Sequence, residues 1–211
     1  MNQRLGQFEE AAEQFEKALA LQPQYGAAKA RLAKVRRVLD FAGMANQSFG
    51  YAQQRFKQQR WNESAAAFST ALELGHPMKA RCHYGRGLCF MEMTEGEEKA
   101  YGEFSAAVKA DGADAPPLYR FMRARAAVST LKRYVAMWEL NPITAAKMPF
   151  ELLAIAKLEL DSCLHPVAEA AAGGEEAGEA AGPLAGAASL LKELDALSAT
   201  KGLALAKQPV S

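Results

Sequence analysis

The sequence predicts an all-α protein, and three observations point there. Alanine is the commonest of the 211 residues, with 44 copies, and β-branched residues are few. That is a helix-forming composition. A small–Phe–Ala pattern, spaced by four and then three residues, occurs three times. Beyond those copies, apolar residues recur at intervals of three and four, the period of a helix with one buried face.

The first copy lies in Gly6 to Pro23 and carries Ala11, Phe15 and Ala18. The second, Gln59 to Pro77, carries Ser64, Phe68 and Ala71. The third, Glu95 to Asp111, carries Ala100, Phe104 and Ala107. Each trio shares one helical face. The small residue lets a second helix approach, and the Phe fills the space beside it.

These residues resemble the second helix of the tetratricopeptide repeat. Gly6, Phe8, Ala11, Phe15, Ala18 and Pro23 follow the family pattern step by step. The run from Ala52 to Trp61 and the run from Arg86 to Met93 resemble the first helix of the motif. Gln59 stands where the second unit would have its turn glycine, and the third unit carries one extra residue near Gly96. The resemblance covers residues 3–113. It implies an antiparallel helical-hairpin solenoid of about three units. Phe68 and Phe104 are 36 residues apart, close to the family period of about 34. Phe15 and Phe68 are 53 apart, which leaves room for an extra helix and turn. Ala28, Leu32, Val35, Leu39 and Ala42 give that helix an apolar face, while Lys29, Arg31, Lys34, Arg36 and Arg37 cover its other faces.

The expected organisation is therefore a partial repeat plus basic helix over 1–43, then two repeats over 44–113. Divergent capping helices follow over 114–165, about 118–140 and 149–164. In the first, Phe121, Ala124, Val128, Leu131, Val135 and Trp138 share a face; in the second, Leu152, Leu153, Ala156 and Leu160 do. Residues 166–186 are Ala, Gly, Glu and Pro with few large side chains, the composition of a disordered linker. Residues 187–211 are a short amphipathic helix and tail. Leu190, Leu191, Leu194 and Leu197 line that helix, which is too short to be stable unless it docks on something. The first repeat has no partner helix before it, so a longer protein or another subunit is expected to cover that end.

Composition narrows the function. Lys plus Arg number 25 and Asp plus Glu 24, a net charge of +1. A dedicated nucleic-acid protein would carry a large basic excess, so nucleic acid is not the expected partner. No run reaches the roughly 18 apolar residues of a membrane span. Three cysteines are too few and odd in number for a disulfide framework. With no signal or transit peptide visible, the expected location is cytoplasmic.

No catalytic constellation is visible. Cys82 and Cys89 share a helical face, but a third and fourth metal ligand at suitable spacing is missing, so both read as buried core cysteines and no metal is expected. His76 and His165 precede prolines and sit in no nucleophile motif. No glycine loop calls for a phosphate-bearing cofactor. The carboxylate pairs read as solvated surface. Two basic clusters stand out: Lys29 to Arg37, and a patch of Arg120, Arg123, Arg125, Lys132 and Arg133. The acidic residues of 169–179 are their expected partners within the chain.

The family resemblance implies a better site, the groove lined by the first helix of each repeat. Here that groove would consist of Asn46, Phe49, Gln53 and Lys57, then Arg81, Tyr84, Leu88 and Met91. One subfamily grips the C-terminal carboxylate of heat-shock chaperones with a Lys–Asn–Asn–Lys–Arg clamp. This chain has Phe49, Gln53 and Gly85 at the leading Lys and the two Asn positions, so most of those charge-assisted hydrogen bonds are lost. An apolar or amphipathic helical segment suits the groove instead. The sequence reads as a non-catalytic adaptor or scaffold that binds a segment of another protein in the groove, within a larger assembly. The alternatives are an RNA-binding helical-repeat protein using the basic helices, and a regulatory fragment of a larger enzyme.

Overall fold

The computed structural model describes residues 2–140, 151–172 and 186–199. Among them the chain is all-α: eight α-helices, one 3-10 turn and no strand. It divides into two compact units, Met1–Gly85 and Arg86–Ser211.

The first unit holds α1 (Asn2–Leu21), α2 (Gly26–Lys57), α3 (Trp61–Glu73) and the start of α4 (Lys79–Met91). α1 packs on the N-terminal half of α2, with Ala12, Ala28 and Leu32 buried, and Arg36 pairs with Glu16 at 2.8 Å. α3 packs on the C-terminal half of α2. Its small residue Ser64 is fully buried and donates its hydroxyl to the Ala52 carbonyl at 2.8 Å, which draws the two backbones together. Phe56 and Trp61 meet edge to face across the turn between these helices. In that turn Gln59 adopts φ +58°, the left-handed conformation that glycine takes most easily. Phe68, buried on α3, presses its ring on Gly85 of α4.

The second unit holds the end of α4, then α5 (Glu97–Asp111), the 3-10 turn Gly112–Asp114, α6 (Pro117–Leu140), α7 (Glu151–Ala172) and α8 (Ala187–Ser198). Ala100, Phe104 and Ala107 of α5 are fully buried, and the Phe104 ring lies on Gly87 of α4. α6 is central: it packs against α5, α7 and α8. Its buried residues Ala124, Ala126, Ala127, Val128, Thr130 and Leu131 therefore face several directions, and the helix lacks the single apolar stripe of a surface helix.

Two expectations need correction. The basic helix and the first helix of the next repeat are one continuous α2, so the 43/44 boundary falls inside a helix. Gly43 is the only breaker there, and a single glycine costs about 1 kcal/mol against alanine, too little to force a turn among good helix formers. Residues 166–172, expected to belong to a linker, are helical. α7 runs on through Pro166 to Ala172, since the Ala168–Ala172 run favours helix, and it ends just before Gly173 and Gly174. The rest of that span up to 185 lies outside the described residues, as does the tail from 200. The short α8 docks as a helix of its length requires, against α6 and α7.

Candidate functional site

The eight residues expected to line the groove divide between the units. Asn46, Phe49, Gln53, Lys57, Arg81 and Tyr84 belong to the first, and Leu88 and Met91 to the second. Asn46, Gln53 and Lys57 are exposed on α2 and Arg81 is exposed on α4, while Tyr84 is half-buried. Phe49 is engaged in packing. Its ring stacks on the His76 ring at 4.5 Å and meets Phe68 edge to face at 5.7 Å. In the second unit, Leu88 and Met91 are half-buried.

His76 has a packing role that its sequence position does not reveal. It is 1% exposed, and its Nδ1 accepts the Met78 backbone N–H at 3.2 Å. The Cys82 sulfur lies 3.6 Å from the same nitrogen. Burial lowers the His76 pKa, so the neutral ring is favoured. The ring thus ends the α3–α4 turn and joins Phe49, Phe68 and Cys82 in one buried cluster. Its only signal in the sequence is a polar residue with ring character placed between Gly75 and Pro77. Among the described residues, no group of three His, Cys, Asp or Glu side chains is placed to hold a metal ion.

The patch expected on α6 is largely neutralised by carboxylates of the chain. Arg123 makes a two-pronged pair with Glu159 of α7, whose side chain is 5% exposed, and its Nε lies 2.8 Å from one carboxylate oxygen. Burial lowers the Arg123 pKa; the nearby Tyr101 raises it and Arg120 lowers it. Lys132 pairs with Glu193 of α8. Arg133 lies 4.0 Å from Glu97 and 3.9 Å from Glu98 on α5. Arg120 reaches the Ala113 carbonyl at 3.4 Å, and Arg125 is exposed. Among the described residues the acidic partners are Glu159, Glu193, Glu97 and Glu98, and the side chains of 169–179 lie outside the described residues. Tertiary packing sets those pairs, and sequence proximity does not.

Some exposed apolar side chains of the first unit gather elsewhere, where α1 and the middle of α2 meet the end of α3. A cavity of about 540 Å³ is lined there by Leu5, Phe8, Val38, Phe41, Ala42 and Leu74, with Glu73 and Gly75 at the α3 end. Phe8 is 37% exposed, Val38 41% and Phe41 54%. Arg31, Lys34 and Arg37 stand exposed on the same half of α2.

No family model, no curated protein and no solved structure matches this chain.

Proposed function

We propose that the chain is a non-catalytic scaffold of tetratricopeptide-like helical repeats that binds a segment of another protein within a larger cytoplasmic assembly. The observation that carries this reading is the seating of repeat phenylalanines on glycines: Phe68 on Gly85 and Phe104 on Gly87. The hairpins are held by aromatic rings pressed against bare backbone, and the helix faces turned the other way stay available. On those faces, Asn46, Gln53, Lys57 and Arg81 present hydrogen-bonding side chains to solvent. Such an arrangement suits a peptide bound by a polar rim. An RNA-binding role has less support, because Arg123, Lys132 and Arg133 already face carboxylates of the chain.

The test is site-specific photo-crosslinking in cells. A photoreactive residue at Gln53 should capture one discrete partner, and the same residue at the exposed Glu13 of α1 should not. Capture from both positions alike, or from neither, would reject the groove.

A further inference from the structure

The small–Phe–Ala trio does not meet the same fate in every copy. Ser64, Phe68 and Ala71 are buried in α3, and so are Ala100, Phe104 and Ala107 in α5. In α1, Ala11, Phe15 and Ala18 are only half-buried. Together with Phe8 they form a stripe at spacings of three, four and three, so one wall of α1 lacks a covering helix.

The neighbouring face of α2 is also uncovered. α3 lies along the α2 stripe that contains Phe56, Ala52, Phe49 and Ala45, as the Trp61, Ser64 and Phe68 contacts show. The same stripe, continued towards the N-terminus at helical spacing, runs through Phe41, Val38, Lys34 and Arg31. α3 ends at Glu73, and Leu74 closes the track beside Phe41. From Arg31 to Phe41 the open track is about 15 Å long, three turns of helix. It is apolar through Val38 and Phe41, with the carboxylate of Glu73 at the α3 end, and basic at the other end. Among the described residues, no carboxylate pairs with Arg31, Lys34 or Arg37.

We infer that this track binds an amphipathic helix of a partner protein, collinear with α3, whose apolar face covers Phe8, Val38 and Phe41 and whose carboxylates meet Arg31, Lys34 and Arg37. The inference rests on the reading of the chain as an interaction scaffold, but it uses a surface separate from the Asn46–Arg81 groove. Charge complementarity decides the class of helix. An acidic flank gains from three unmatched cations, and a basic flank is repelled by them.

Fluorescence anisotropy with designed peptides tests it. One probe is a labelled helical peptide of about 14 residues with leucines on one face and glutamates on the flanks; the other replaces every glutamate with lysine. The glutamate peptide should bind the full chain, and binding should weaken as salt rises from about 50 to about 500 mM. The lysine peptide should not bind. Phe41→Glu should reduce affinity at least about tenfold, and the double variant Lys34→Glu/Arg37→Glu should reverse the preference towards the lysine peptide. All these positions are exposed, and circular dichroism confirms that the variants remain helical. Equal binding of both peptides, or unchanged binding by Phe41→Glu, would overturn the inference. So would binding of a single-stranded RNA that depends on Lys34 and Arg37 but not on Phe41. Substituting Gln53, Lys57 and Arg81 should leave peptide binding intact, which separates this track from the groove.

Discussion

The Phe68 ring lies so close to Gly85 that a Cβ at that position would come within 2.4 Å of Phe68 Cζ. Phe68 is 4% exposed, so its ring has little room to retreat. Gly85→Ala should therefore destabilise by about 1–3 kcal/mol through overpacking. Phe68→Ala should cost about 3–5 kcal/mol through the cavity it leaves. The two changes are coupled, since removing the ring makes room for the methyl. In a urea double-mutant cycle, most of the Gly85→Ala cost should vanish in the Phe68→Ala background. Strict additivity would show that the contact does not govern this packing.

The phenylalanines were legible in the sequence and their partners were not. Phe68 and Phe104 announced themselves by the small–Phe–Ala spacing, which is a local, one-helix pattern. Gly85 and Gly87 read only as the absence of side chains, and their role emerges when another helix comes against them. Gln59 was noticed where a turn glycine would stand, and its φ of +58° shows that the turn keeps the glycine conformation without the glycine. The length of α2 is not legible, because helix merging leaves no mark beyond the lack of a strong breaker at Gly43. The partners of Arg123, Lys132 and Arg133 are not legible, because they lie on three other helices. The family resemblance places Phe49 in a groove, and its stacking on His76 depends on a turn whose path the sequence does not show.

Arg123 and Glu159 link α6 to α7 in the second unit, with the carboxylate almost fully buried. Removing one partner leaves the other as an uncompensated buried charge. Arg123→Met or Glu159→Leu alone should each cost about 3–5 kcal/mol. The double variant should recover most of that loss, because neither desolvated charge remains. Chemical denaturation of the three variants reads this directly. A double variant as unstable as the sum of the singles would mean that the residues act independently.

His76 gives the chain a pH dependence whose sign is fixed by burial. Its folded-state pKa is lowered from the usual 6.5, so on acidification the unfolded chain takes up the proton first. The stabilisation is complete above pH 6.5 and is lost as pH falls through the lower folded value. The urea midpoint should therefore drop between pH 7.5 and pH 5 in the native chain. His76→Gln keeps an acceptor near the Met78 N–H but does not titrate, and the drop should shrink. The variant should also start from a lower midpoint at pH 7.5, since the stack on Phe49 is weakened. An unchanged pH dependence would place the titration on other groups.

The docking of α8 makes the effect of truncation predictable. Leu194 is 1% exposed, and Ala187 is fully buried. Leu197 packs with Leu153 and Tyr134 around the buried Val135, joining α6, α7 and α8. Two ion pairs frame the contact, Lys132 with Glu193 and Lys157 with Asp195 at 3.5 Å, but both are exposed and add little. The leucines dominate. Burying a leucine side chain is worth about 1.5–3 kcal/mol, so removing Leu194 and part of Leu197 should cost about 3 kcal/mol. For a chain of this size, each kcal/mol lowers Tm by about 2–4 °C. A chain ending at Ala172 should therefore melt about 6–12 °C below the full chain, and Leu194→Asp should reproduce most of that drop without any truncation. Lys132→Ala should shift Tm by no more than about 1–2 °C, because it removes only an exposed pair. If α8 instead served only to hold a partner, truncation would leave Tm where it was and Leu194→Asp would be silent in the melt.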